Sequence, residues 1–161
     1  MMNTMKLRTT TVAVILAMTT LGLGACSGGN NNQSDGNQNS GSQNSGLTDF
    51  EMEHGIGPVT EPVSLGELDS ERAEEGRVIF QAKCSACHKM DERYIGPPLG
   101  DVTEQRSAAY IMNMILNPDE MTKRHPVAKE LLAEYMAPMA FQNVSIDEAR
   151  SIVEYLRTEN P

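Results

Sequence analysis

The chain has no tryptophan, and aromatics make up 4% of its 161 residues. A core built from side chains alone would therefore be thin. No stretch alternates apolar and polar residues well enough to argue for a strand, and no segment repeats. No apolar run is long and uniform enough to read as a membrane span. Basic residues are scarce: 13 Lys and Arg stand against 22 Asp and Glu, a formal charge of −9. Such a surface disfavours nucleic acid and favours partner proteins with basic docking patches. Cysteines and histidines number three each. What is present is concentrated: "KCSACHKM", residues 83 to 90, holds two of the cysteines and one of the histidines.

The N-terminus reads as an export address. Lys6 and Arg8 precede the apolar run "VAVILAMTTLGLGA" and then Cys26, the order of a basic region and a short apolar region. The stretch Leu23-Gly24-Ala25-Cys26 resembles the lipobox of bacterial lipoproteins. That resemblance implies loss of residues 1–25 and acylation of Cys26; an ordinary secretory signal and an uncleaved anchor are the other readings of the run. Two or three acyl chains hold a protein stably on a membrane. Ser27, rather than Asp, after the cysteine implies the outer membrane in Gram-negative lipoproteins. Losing Lys6 and Arg8 would take the formal charge from −9 to −11.

Beyond Cys26, residues 27–46 are Gly, Ser, Asn and Gln with one Asp. They cannot bury apolar surface and read as a disordered tether, with a root-mean-square span of roughly 25 Å. Residues 47–68 are more apolar but carry Gly55, Gly57, Pro58, Pro62 and Gly66, the pattern of an irregular arm. The folded head is expected over 69–161.

Within the head the spacing predicts four or so short helices and an all-α fold. Ser70 is a plausible cap for the first, with Glu71, Glu74 and Glu75 where the dipole favours anions. Its inner face would be Ala73, Gly76, Ile79 and Phe80, and it leads straight into Cys84. "DERYIGPPLGDV" must be a loop. Ser107 caps "AAYIMNMIL", and Asn117-Pro118 stops it. A shorter helix follows Pro126 and breaks before Pro138, with Met136 as core at its end. Ser145 and Glu148 form a capping box for the last, whose stripe is Ala149, Ile152, Val153 and Leu156. Short helices and long loops without tryptophan stabilise themselves poorly at this size. A large apolar prosthetic group at the centre would answer that deficit.

Cys-x-x-Cys-His admits several chemistries. A redox dithiol wants its first cysteine after a strand, and no strand is offered. A zinc site wants a second ligand pair, and His125 stands alone on the charged stretch "TKRHP", where it reads as exposed. A bare disulfide remains open but leaves His88 and the small core unexplained. Covalent c-type haem uses all three residues.

The chain here resembles monohaem class I cytochromes c, in the small bacterial, lipid-anchored branch, over about residues 70–158. The resemblance rests on C84-S-A-C87-H88, "GPPL" at 96–99, a methionine about fifty residues beyond the histidine, and the terminal helix. It implies a class I cytochrome c fold around one covalent haem c, with Cys84 and Cys87 as thioether anchors and His88 as proximal iron ligand. Pro97 matches the proline whose carbonyl accepts a hydrogen bond from that histidine, and Leu99 would pack beside the haem. The implied distal ligand is Met139, ahead of Met136, although family ligands often precede a proline and Met139 follows one. Gly76 and Phe80 match the packing pair of the first helix, with Tyr155 or Leu156 opposite. Arg93 and Tyr94 could reach a haem propionate, or stand solvated.

The function implied is one-electron transfer near a membrane, without substrate turnover. Donors would be a quinol-oxidising complex; acceptors, a terminal oxidase or a denitrification enzyme such as nitrous oxide reductase. A haem sensor or peroxidase-like protein with an exchangeable distal ligand is the rival, and a structural lipoprotein with a Cys84–Cys87 disulfide is a third reading.

Overall fold

The computed structural model describes residues 46–159. The export segment, Cys26 and the polar tether lie outside the described residues. Those described form helices α1 (Asp49–His54), α2 (Ser70–Lys83), α3 (Val102–Gln105), α4 (Ala108–Leu116), α5 (Pro118–Arg124), α6 (Pro126–Tyr135) and α7 (Ile146–Thr158), with no strand among them.

The four expected helices are α2, α4, α6 and α7; three short ones were not anticipated. Helix α1 lies in the arm, started by a Thr48–Glu51 capping box. Helix α3 falls in the loop after the Cys-x-x-Cys-His motif. Pro118 stops α4 as expected, but it also occupies the first turn of α5, where a missing N–H is harmless. The cap of α2 is Asp69 rather than Ser70: its carboxylate accepts the Arg72 N–H at 3.0 Å. Ser107 and the Ser145–Glu148 box cap α4 and α7 as the sequence suggests.

Helices α2 and α7 cross in close contact. A Cβ on Gly76 would collide with the Ser151 carbonyl oxygen, so glycine is what lets the two backbones meet. One turn on, the Phe80 and Tyr155 rings lie 5.3 Å apart, and Ala149, Ile152, Val153 and Leu156 are all buried. Glu154 is 1% exposed yet charge-paired on both sides, to Arg150 at 2.8 Å and Arg157 at 2.6 Å. Arg157 also donates to the Gly66 carbonyl at 3.0 Å, which ties the arm to α7.

The arm is more tightly built than an irregular wrap. Asn113, fully buried on α4, donates to the carbonyls of His54 (3.0 Å) and Val59 (2.9 Å) and accepts the Val59 N–H at 3.0 Å. Asn117 donates to the Ile56 carbonyl, and the Ile56 N–H reaches the Met121 sulfur at 3.1 Å. Gly55 has φ +78°, and a Cβ there would sit 2.9 Å from the Met121 thioether. Leu47, Ile56, Tyr110, Met121 and Ala128 thus form a second apolar cluster behind α4.

Candidate functional site

The motif folds as a tight turn continuing α2. Cys84 donates to the Phe80 carbonyl at 2.8 Å, and the N–H groups of Cys87 and His88 both reach the Cys84 carbonyl at 3.0 Å. That shared acceptor gathers two sulfurs and one imidazole onto one wall. Cys84 is half-buried and Cys87 exposed, and both are free thiols. Burial pushes the Cys84 thiol up to about 11, against a smaller opposing pull from Lys83. A reactive dithiol requires the opposite shift.

The loop after the motif is aimed back at His88. Gly96 donates to the Cys87 carbonyl at 2.8 Å, and Leu99 to the Lys89 carbonyl at 2.9 Å. A Cβ on Gly96 would lie 2.5 Å from the His88 ring, so glycine here lets backbone pack flat against the imidazole. His88 Nδ1 stands 3.0 Å from the Pro97 carbonyl oxygen. Because a carbonyl only accepts, Nδ1 carries the proton and Nε2 keeps the lone pair that a metal needs.

These residues line an apolar cavity of about 280 Å³ with Cys84, Cys87, His88, Pro97, Leu99 and Met139 on its wall. The volume is near the lower end, roughly 300 Å³, of small-molecule sites. Phe80, Ile111, Ile115, Ile152 and Leu156 line it too and belong to the main core, so the site is the middle of the domain. Two free thiols, a proton-fixed imidazole and a methionine on the wall of one apolar cavity fit an iron porphyrin attached by its vinyl carbons.

The methionines separate by place. Met139 and Met114 line the cavity; Met112 is core and Met121 holds the arm. Met136 was expected as core at the end of its helix, and it does end α6, as a left-handed C-cap (φ 51°). Its side chain is 85% exposed, because the left-handed turn sends it outward. His125 was expected at the surface and is 1% exposed. Pro126 opens α6 immediately after it, so the residue turns inward; its Nε2 lies 3.1 Å from the Met52 carbonyl and its ring packs edge-on to Tyr110 at 5.1 Å. His54 Nδ1 bonds the Ser107 hydroxyl at 2.8 Å. Among the described residues, His88 is the sole histidine on the cavity wall.

Arg93 does not stand free in solvent. It pairs with Glu134 and lies over the Tyr135 ring. The sequence did not single out Tyr110, a cavity residue whose buried hydroxyl has no hydrogen-bond partner among the described groups.

A family model described as Cytochrome c matches residues 73–160. Among solved structures, a cytochrome c from Rhodothermus marinus is 48% identical, covers 68% of this chain and 94% of its own, and superposes with a TM-score of 0.64. An engineered form of that protein, bound to a carbene intermediate, is also 48% identical, with a TM-score of 0.62 over 68% of this chain and 95% of that one. A cytochrome c-553-like protein of Synechocystis sp. is 41% identical over 46 residues, 28% of this chain; the match spans 44% of that curated relative's length.

Proposed function

The chain belongs to the cytochrome c family, a haem electron-transfer family that holds haem c covalently, and on that premise we propose a single-haem shuttle tethered to a membrane through lipid on Cys26. The carrying observation is one cavity that presents an imidazole whose proton is held by Pro97 and, on the same wall lining, the Met139 thioether. When bound, the haem supplies an iron that changes by one electron. Cys84 and Cys87 would hold it through thioethers, and His88 Nε2 and Met139 Sδ would donate to its iron. Pro97 fixes the imidazole and strengthens it as a donor, while Leu99 packs alongside. A thioether favours the ferrous state and raises the potential.

On this reading the protein passes electrons without turning over a substrate. Among the described residues, the cavity wall bears no carboxylate and no second histidine, which favours the carrier over a peroxidase-like reading. The export segment puts the head on the periplasmic or outer side of a membrane. A quinol-oxidising complex would supply electrons, and a terminal oxidase or a denitrification enzyme such as nitrous oxide reductase would take them. The excess of acidic over basic residues supports partners with basic docking patches, and tethering raises local concentration where encounters are weak. Carbon monoxide added to the ferrous protein at neutral pH tests the reading: a carrier whose iron is held by both His88 and Met139 would stay unreacted. Rapid stoichiometric binding would favour the sensor or peroxidase alternative.

A further inference from the structure

The segment joining α6 to α7 carries Met139 yet has little backbone structure of its own. Among the described residues, no backbone–backbone hydrogen bond involves residues 137–143. One cation reaches this segment and a second reaches the last turn of α6 just before it. Lys83, immediately before Cys84, donates Nζ–H to the Gln142 carbonyl at 3.2 Å. Arg93, just beyond His88, donates Nη1–H to the Glu134 carboxylate at 2.8 Å and Nη2–H to the Glu134 carbonyl at 2.9 Å. Its guanidinium also lies 4.0 Å from the centre of the Tyr135 ring, and that ring lines the cavity.

We propose that Arg93 and Lys83 are positioning residues that fasten the Met139 segment to the side of the cavity carrying His88, and so set how readily Met139 yields to an added ligand. The inference rests on Met139 as distal donor. The Arg93 contact is specific in chemistry. In a continuing helix the Glu134 carbonyl would accept from the N–H of residue 138, but that residue is Pro138, which has none. Arg93 fills the acceptor that the proline leaves open, at the helix end where the dipole favours a cation. A lysine could supply the charge but neither the fork nor the stacking.

The anchor on the other side is stiff, since Gly96 and Leu99 bond back to Cys87 and Lys89. The Arg93 and Glu134 side chains are 53% and 55% exposed, so their pairing adds little to global stability. Its loss should be felt locally, at the segment it holds.

The test uses the haem-loaded full chain and imidazole as the probe ligand on the ferric protein. Arg93→Gln and Lys83→Met should each speed imidazole binding by about threefold to tenfold, and the double variant by more. The weak near-red Met–iron band and the melting temperature should stay near their native values, and Arg93→Lys should recover part of the native rate. Arg77→Gln, which breaks the Glu74 pair on the outer face of α2, should leave the rate unchanged. The clasp is overturned if the double variant binds imidazole within about twofold of the native rate while Met139→Ala abolishes the band. A rate increase matched by an equal loss of global stability also overturns it, as general loosening. Persistence of the band in Met139→Ala sinks the ligand reading itself, and this inference with it.

Discussion

At the scale of single residues, two methionines three positions apart have opposite fates. Met139 lines the cavity, whereas Met136 points to solvent. Met139→Ala should abolish the near-red band and lower the potential, because a thioether favours ferrous iron. Met136→Ala should leave band and potential alone and change stability by less than about 0.5 kcal/mol. Loss of the band on substituting Met136 instead would move the ligand by one helical turn. Asn113 is the residue that the sequence showed least. Asn113→Ala would remove the amide partner of three carbonyls and one N–H in the arm, a loss of about 2–4 kcal/mol; a thermal melt decides it, and an unchanged midpoint would mean that the arm does not depend on this amide.

Among the elements, the crossing of α2 and α7 depends on Gly76. Gly76→Ala would drive a methyl into the Ser151 carbonyl and should destabilise the head by about 1–3 kcal/mol, read by denaturant titration. The same substitution on a free helix surface would be stabilising, so the sign of the change tests the packing. The N-terminus of α7 responds to acid. The Ser145 backbone N–H, and then its hydroxyl, hold the Glu148 carboxyl below its ordinary value of 4.5. A carboxyl depressed on folding contributes stability that is fully present above its unfolded value and lost as pH falls through the lower folded value. The native chain should therefore lose part of α7's stability as pH drops below about 4.5. Glu148→Gln should flatten that dependence, whereas Ser145→Ala, which keeps the backbone N–H, should weaken it only in part and cost about 1 kcal/mol at neutral pH.

For the whole molecule, the cavity and the core are one. At about 24 cal/mol per Å³, a 280 Å³ hollow would cost up to roughly 7 kcal/mol, a large part of the roughly 5–15 kcal/mol by which domains are stable. A Cys84→Ala/Cys87→Ala chain made without attached haem should lose most of its cooperative thermal transition by far-UV circular dichroism. A melt matching the haem-loaded chain would show that the helices support themselves. Anchoring acts at the same scale. Cys26→Ser should leave the head's spectrum intact and release it from membrane fractions or leave an unacylated precursor, as mass spectrometry of the mature N-terminus would show.

Local chemistry made four helices and the motif legible in the sequence. Capping residues such as Ser107 and Ser145, apolar spacing such as Ala149–Ile152–Val153–Leu156, and the fixed intervals Cys84–Cys87–His88 are all contacts within a few positions along the chain. The inward turn of His125, the burial of Asn113 and the engagement of Arg93 were not legible, because each depends on partners far away in sequence; helix α1, by contrast, starts at a local Thr48–Glu51 capping box that the sequence reading passed over. Arg93 meets Glu134, His125 meets Met52, and Asn113 meets Val59. A sequence states which side chains can bond or coordinate. Only the chain folded on itself decides which of them are left facing the cavity, and that is set by long-range packing, which no local window contains.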